Sequence, residues 1–382
     1  MNMLKCQKHL FQLDKDIHYL NCAYKAPLLK SAENALLDSL EKERNPYHYK
    51  PNDFFEITLD ICKSFSQLIE CSAQNIALFP STSYGFASAL NNIKSRGGKA
   101  ITIENEFPSG YFALEKWAIS NNAEIIVVKR EDKSAQNWNN LILDSIDDST
   151  NVVLLSIIDW MNGTKINIKE IGEKCRKHNA KLIADGTQIV GAAPVNVNEL
   201  NIDVLICAAY KWLFGPYSMA IGYFSDDFHE GNPIEESWMN RSNAMNFSSI
   251  TEYDINYKPG SARYNVGQTS NFMISPILLE GLNQINQWGT TNIQAYCQML
   301  SNYLKESLTP MGVEFEKENY FYPHLFSLKL PNNIYPEIVK SQLENKNIYV
   351  SLRGSYVRVS INVFNQKENL DALINCCHQL LG

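Results

Sequence analysis

The 382-residue chain has no Cys-x-x-C pair, no block of like charge and no uninterrupted apolar stretch of about 18 residues. Without such a stretch a membrane span is not expected. Met1 to Asp16 mixes Lys, Gln, His and Asp and lacks the apolar centre of a secretory leader, so the expected compartment is the cytoplasm. Nine cysteines, an odd number, are scattered from Cys6 to Cys377. That distribution points to reduced, buried thiols and away from a disulfide framework or a zinc site, and no metal is expected. The net charge of −7 is spread along the chain, which leaves no electrostatic footprint for nucleic acid or an anionic membrane. Small-molecule chemistry is the class that survives these exclusions.

What is present is an ordinary globular composition, 45% hydrophobic and 20% charged, in a chain longer than one core usually fills. Apolar runs rich in β-branched residues predict strands at Asn75 to Phe79, Lys99 to Ile103, Ala123 to Val128, Asn151 to Ser156, Lys181 to Asp185, Val204 to Ala208 and Met219 to Phe224. Helical spacing falls between them at Ser83 to Ile93, Gly110 to Asn121 and Ile168 to His178. This alternation predicts an α/β fold around a mostly parallel seven-stranded sheet.

Past Asn271 the texture changes. Helical patterns at Ile274 to Trp288 and Asn292 to Leu308 lead into strands at Leu325 to Leu330, Ile348 to Val350 and Tyr356 to Ile361, then a helix from Lys367. The reading is a large domain over 17–270 and a smaller α+β domain over 271–382, joined by the N-terminal segment 1–16. Gly231 to Gly260 is irregular enough to be a long functional loop.

Ligands of open α/β sheets gather at the carboxyl ends of strands, so the residues following each predicted strand carry the most information. Pro80-Ser81-Thr82-Ser83-Tyr84-Gly85 leads small hydroxyl residues into a helix, which suits a phosphate; taken alone, such a run is more often a plain N-cap. Glu106-Phe107-Pro108-Ser109 offers an aromatic that could stack on a flat ring. Asp185-Gly186-Thr187-Gln188 puts an acid at the end of an apolar run, where it wants a cationic partner such as a pyridinium N–H. Tyr210-Lys211-Trp212 sets a lysine among aromatics, and desolvation there favours the neutral amine that a Schiff base requires.

Those four segments, in that order, resemble the class V aminotransferase family of fold-type I enzymes dependent on pyridoxal 5′-phosphate (PLP), which includes cysteine desulfurases, isopenicillin N epimerase-like proteins and kynureninases. The resemblance extends from Tyr19-Leu20-Asn21-Cys22-Ala23 to Arg358-Val359-Ser360. It implies the aspartate aminotransferase-like fold of PLP-dependent transferases and a homodimer with shared sites. By position it implies that Lys211 forms the Schiff base, Asp185 meets the pyridine nitrogen, Gln188 reaches the ring hydroxyl and Phe107 stacks on the ring. Thr82, Ser83 and Tyr210 fall on phosphate-binding positions, and Gln268 or Thr269 would reach the phosphate of the other subunit. Arg358 falls on the arginine that grips the substrate carboxylate, with Arg353 the second choice.

The departures bear on the reaction. Arg353-Gly354-Ser355-Tyr356-Val357-Arg358 is a tight connection without the cysteine that a desulfurase carries there, and Cys376 and Cys377 fall in the last helix. Gly110 stands where kynureninases have an acid after Phe-Pro-Ser. Trp160 could narrow the substrate pocket, and Lys25 could meet an acidic substrate group; core packing and a solvent-facing lysine are the alternatives. The resemblance thus implies a reaction of a small amino acid through an external aldimine. An aminotransferase-type reaction is the first reading, lyase or epimerase chemistry the second and a catalytically inactive binding protein the third.

Overall fold

A computed structural model of the chain describes residues 4–131, 134–329, 335–354 and 356–381. Its elements in chain order are β1 (His18–Tyr19), α1 (Lys30–Arg44), α2 (Asp53–Leu68), β2 (Ile76–Phe79), α3 (Thr82–Leu90), β3 (Lys99–Ile103), α4 (Pro108–Ser120) and β4 (Glu124–Val128). Next come α5 (Ala135–Asp144), β5 (Thr150–Ser156), α6 (Ile168–Lys177), β6 (Lys181–Asp185), β7 (Val204–Ala208), β8 (Ala220–Phe224), α7 (Ser275–Trp288) and α8 (Thr290–Leu308). The chain ends with β9 (Leu325–Leu328), α9 (Pro336–Glu344), β10 (Ile348–Tyr349), β11 (Ser351–Arg353), β12 (Tyr356–Ser360) and α10 (Lys367–Leu381).

The large sheet has seven strands in the order β2-β8-β7-β6-β5-β3-β4. Strands β4, β3, β5, β6 and β7 are parallel, while β8 runs against both β7 and β2. Two reversals leave β2 pointing the same way as β7. The carboxyl ends of β2, β3, β5, β6 and β7 therefore share one edge, and β8 begins there.

The central strands are apolar runs because helices cover both faces. Alternation sorts their side chains. Val153, Leu155, Leu182, Ala184, Leu205 and Cys207 join the core on one face, and Val152, Leu154, Ile183, Val204 and Ile206 join the core on the other. Each fully buried Val, Leu or Ile contributes about 1.5–3 kcal/mol relative to exposure. Helices α3 and α4 close on the second face at glycines. A Cβ on Gly85 would lie 2.9 Å from Ile206 side-chain carbons, and one on Gly110 would lie 2.8 Å from Leu154 Cδ2.

Several boundaries differ from the sequence expectation. Helix α4 starts two residues early, since Pro108 is well suited to the first helical turn. Asn75 stays outside β2 because its backbone N–H donates to Ser72 O at 3.0 Å and closes a 3-10 turn. The strand expected at Ile348 to Val350 is two short strands, as the chain switches partner from β1 to β12. Helices α1, α2, α5 and α9 lie outside the expected set. The expected strand end at Leu330, and Ser355 between β11 and β12, lie outside the described residues.

A second sheet, β11-β12-β9, is antiparallel and carries Arg358 on its middle strand. The N-terminal segment runs against this part of the chain. Gln7 N donates to Val363 O at 2.7 Å, and the Phe11 ring meets Phe364 at 5.2 Å. Farther on, Ala23 N donates to Ser360 Oγ at 2.9 Å, which brings the loop after β1 beside β12. No described helix is long and apolar enough to cross a membrane.

Candidate active site

The shared edge of the large sheet encloses a cavity of about 330 Å³. Each strand ending there supplies part of its wall: Pro80 to Ser83 after β2, Phe107 and Ser109 after β3, and Ser156 and Trp160 from and after β5. Asp185, Thr187 and Gln188 follow from β6, Ala208, Tyr210 and Lys211 from β7, and Tyr217 to Met219 lead into β8. A second cavity of about 280 Å³ adjoins it, lined by Ala23, Tyr24, Lys25, Arg353 and Arg358 together with Phe107, Trp160, Tyr210, Lys211 and Tyr217. Those last five residues line both, so the two cavities are lobes of one cleft with Lys211 where they meet.

The Lys211 segment is fixed by backbone bonds around it. Ala209 N donates to Met219 O at 3.0 Å, Gly215 N to Ala209 O at 2.9 Å, and Ala26 N to Tyr210 O at 3.0 Å. The side chain is buried, with Nζ 5.8 Å from the Phe107 ring centre and 5.5 Å from that of Tyr210. Burial holds its pKa near 8 instead of 10.5; Asp185 opposes that shift, and Arg358 and Arg353 add to it.

Asp185 ends β6 with its carboxylate accepting from Thr187 N at 2.8 Å. Thr187 Oγ1 in turn accepts from Ala208 N at 3.1 Å, which ties the end of β6 to the end of β7. Burial pushes the Asp185 pKa up, while Thr187 and the Lys211 charge pull it down. Gln188 is held by three groups. Its Nε2 donates to Ala23 O at 3.2 Å, its Oε1 accepts from Trp212 Nε1 at 2.8 Å, and its backbone O accepts from His324 Nε2 at 2.8 Å. Gln294 Nε2 lies 2.6 Å from His324 Nδ1. A carbonyl only accepts, so the proton sits on Nε2 and Nδ1 receives the amide. Burial keeps His324 neutral, with its pKa near 4.

Ser81 is the N-cap of α3: its Oγ accepts from Tyr84 N at 3.3 Å. Thr82 and Ser83 follow in the first turn, where backbone N–H groups lack intrahelical partners. Gln268, exposed with φ +60°, and Thr269, buried with Oγ1 3.3 Å from Thr58 Oγ1, lie outside both lobes of this cleft. Trp160 donates through Nε1 to Asn105 O at 2.7 Å and meets the Phe107 ring edge-on at 5.5 Å. Arg358, 1% exposed, donates through one amino group to the Trp160 carbonyl. Burial first, then the like charge of Arg353, lowers its pKa from 12.5, against the pull of Asp159.

The sequence pattern of the aminotransferase class-V family matches residues 27–373. The chain belongs to that family. It is a PLP-dependent enzyme with the class V fold. Its relatives include an uncharacterized aminotransferase of Schizosaccharomyces pombe, C777.03c, 20% identical over 385 residues, covering 97% of this chain and 93% of the relative. Among solved structures it is similar to a cysteine desulfurase from Thermococcus onnurineus NA1, with TM-score 0.82, 17% identity and coverage of 100% and 99% of the two chains. It is also similar to the cystine C-S lyase C-DES in complex with cysteine persulfide, with TM-score 0.85, 16% identity and coverage of 96% and 99%.

The residues present fit the class V cofactor. A buried amine, a buried carboxylate, an aromatic face and the hydroxyl-rich start of a helix converge on one cavity, and its volume falls within the usual range of small-molecule sites. Two observations bear on the subfamily. A Cβ on Gly110 would lie 2.8 Å from Leu154 Cδ2, so a side chain there requires the Leu154 side chain to shift. None of the nine free cysteines lines either lobe.

Glu106 is a residue that the sequence reading passed over. It is 5% exposed, and its carboxylate accepts from Phe107 N at 2.7 Å, Ser156 N at 2.6 Å and Ser156 Oγ at 2.5 Å. Ser156 lies opposite Asp185 in the β5–β6 register. Burial, and then the Asp185 charge, push the Glu106 pKa up to about 8 against those three bonds. The only sequence signal is its place, one residue before Phe107 and just past the end of β3.

Proposed function

We propose that this class V enzyme is an aminotransferase for a small α-amino acid. The observation that carries the reading is the buried Lys211 amine at the junction of the two lobes, one rich in hydroxyl groups and Asp185, the other rich in arginine. PLP supplies, when bound, an electron sink for negative charge at the amino acid's α-carbon. Lys211 anchors it covalently, Asp185 keeps its ring nitrogen protonated, Gln188 donates to its ring hydroxyl and Phe107 covers its face. Thr82, Ser83 and Tyr210 hold its phosphate.

Arg358 grips the substrate carboxylate through the planar fork of its guanidinium, and Trp160, whose carbonyl orients Arg358, closes the wall beside Phe107. Lys211 Nζ, freed when the substrate amine takes its place on the cofactor, would take the proton from the substrate α-carbon. A pKa near 8 suits an amine that must exist in both forms. Transamination needs one such proton carrier, which Lys211 provides. Desulfuration needs a cysteine thiol in the cleft, and the buried Cys22 thiol, pushed up to about 12 by burial, is unsuited to that role.

The finer assembly belongs to the same reading. Two copies form a homodimer in which Gln268 or Thr269 reaches the partner's phosphate. A hollow of about 370 Å³ that Thr269 lines together with Phe54, Leu59 and Met245, beside exposed Trp238 and Phe247, supports an apolar contact there. Nine free thiols support a reducing, cytoplasmic setting.

Holoenzyme mixed with an α-amino acid and no keto-acid acceptor tests the reaction. Transamination releases one equivalent of keto acid per site and stops. Continuing release of keto acid with ammonia, or sulfide from cysteine, contradicts it.

A further inference from the structure

The arginine lobe carries more positive charge than one α-carboxylate can balance. Its lining includes Lys25, Lys211, Arg353 and Arg358 and, among the described residues, no aspartate or glutamate. Among the described residues none of these four cations forms an ion pair with a carboxylate. Asp159, buried beyond Arg358, is the acid whose field reaches it. Arg353 Nε and Arg358 Nε are both buried without a hydrogen-bond partner.

The two guanidiniums belong to one face of one hairpin. Ser351 pairs with Arg358 across β11 and β12, and Arg353 lies two residues beyond Ser351, so the pleat turns both arginines the same way. Burial, and then repulsion from Arg353, lowers the Arg358 pKa. Arg353 donates to Leu352 O at 2.8 Å, and its guanidinium lies 5.8 Å from the centre of the Trp160 ring. Lys25 rims the same lobe on a pinned loop: its carbonyl accepts from Tyr19 OH at 2.7 Å, and Ala26 N donates to Tyr210 O at 3.0 Å. Burying like charges without a counter-charge is costly, and a ligand that brings the missing charge recovers the cost.

We infer that the substrate is an acidic amino acid, one with a second anionic group on its side chain. Arg358 takes the α-carboxylate, and Arg353 with Lys25 takes the side-chain anion. The inference rests on the aminotransferase reading of the same cleft. Tyr24, Trp160 and Tyr217 wall the 280 Å³ lobe and hold the substrate to a short side chain.

The test measures dissociation constants from the absorbance change of the holoenzyme with L-aspartate, L-asparagine, L-glutamate and L-glutamine. In at least one acid–amide pair, the acid should bind tighter by about tenfold or more. Arg353→Gln should shrink that ratio to about twofold, and Lys25→Met, at an exposed position, should lower it by about threefold. Ratios near one in the unaltered enzyme overturn the inference. So does an Arg353→Gln change that weakens acid and amide by one common factor, which would put both arginines on the α-carboxylate. In either case the absorbance change still reports amino acids at Lys211, and the aminotransferase reading stands. A holoenzyme that none of the four perturbs overturns this inference, and the keto-acid assay with other small amino acids then decides the aminotransferase reading separately. If Arg353→Gln does not fold, the unaltered ratio and Lys25→Met decide.

Discussion

Lys211 Nζ stands over the Phe107 ring, 5.8 Å from its centre. A cation above an aromatic face gains about 0.5–2 kcal/mol, whereas burying an ion costs several kcal/mol after relaxation. Burial wins, and the amine titrates near 8. Only the neutral amine attacks an aldehyde, so apoprotein mixed with PLP should gain its visible absorbance at a rate that rises through about pH 8 and then levels. A rate still climbing toward 10.5, the ordinary lysine value, would contradict the desolvated site.

Asp185→Asn keeps the shape of the side chain and removes its charge. The keto-acid-forming half-reaction should slow by about a hundredfold or more, with weaker retention of PLP on dialysis. A rate within about threefold of the unaltered enzyme would mean that the carboxylate is only a cap for Thr187 N.

Arg358→Lys preserves the charge and loses the planar fork. The KM of the amino acid should rise about 10- to 100-fold, the range for a set of charged hydrogen bonds, with a smaller change in kcat. Equal losses in kcat and kcat/KM with an unchanged KM would place Arg358 outside substrate binding.

His324 gives the protein an acid-sensitive brace behind Gln188. Its pKa is near 4 folded against 6.5 for a free imidazole. Between those values the unfolded chain holds the extra proton, so this contribution, on the order of 3 kcal/mol, is present above pH 6.5 and is lost as the pH falls toward 4. His324→Gln should be less stable than the unaltered protein near neutral pH, with the gap narrowing at about pH 5 in urea-denaturation midpoints. A gap independent of pH would count against a neutral, buried His324.

The sheet and the residues at its strand ends were legible because buried parallel strands read as apolar runs, which leaves Asp185, Lys211 and Phe107 conspicuous where those runs stop. Glu106 was not legible. Glu104 and Glu106 bracket the same short segment, and only the fold buries one of them against Ser156. His324 reaches Gln188 across 136 residues of sequence, beyond any local pattern. The split between β10 and β11 depends likewise on two distant partners, β1 and β12. The closeness of Arg353 and Arg358 in the chain was plain, but that both line one lobe with no acid among its described wall residues is a tertiary fact.

Borohydride reduction of the holoenzyme, followed by proteolysis and mass spectrometry, bears most directly on Lys211. The reduced cofactor should be found on the single peptide that contains Lys211, and Lys211→Ala should carry none. Label on Lys25 or any other lysine, or label that persists in Lys211→Ala, would contradict the assignment.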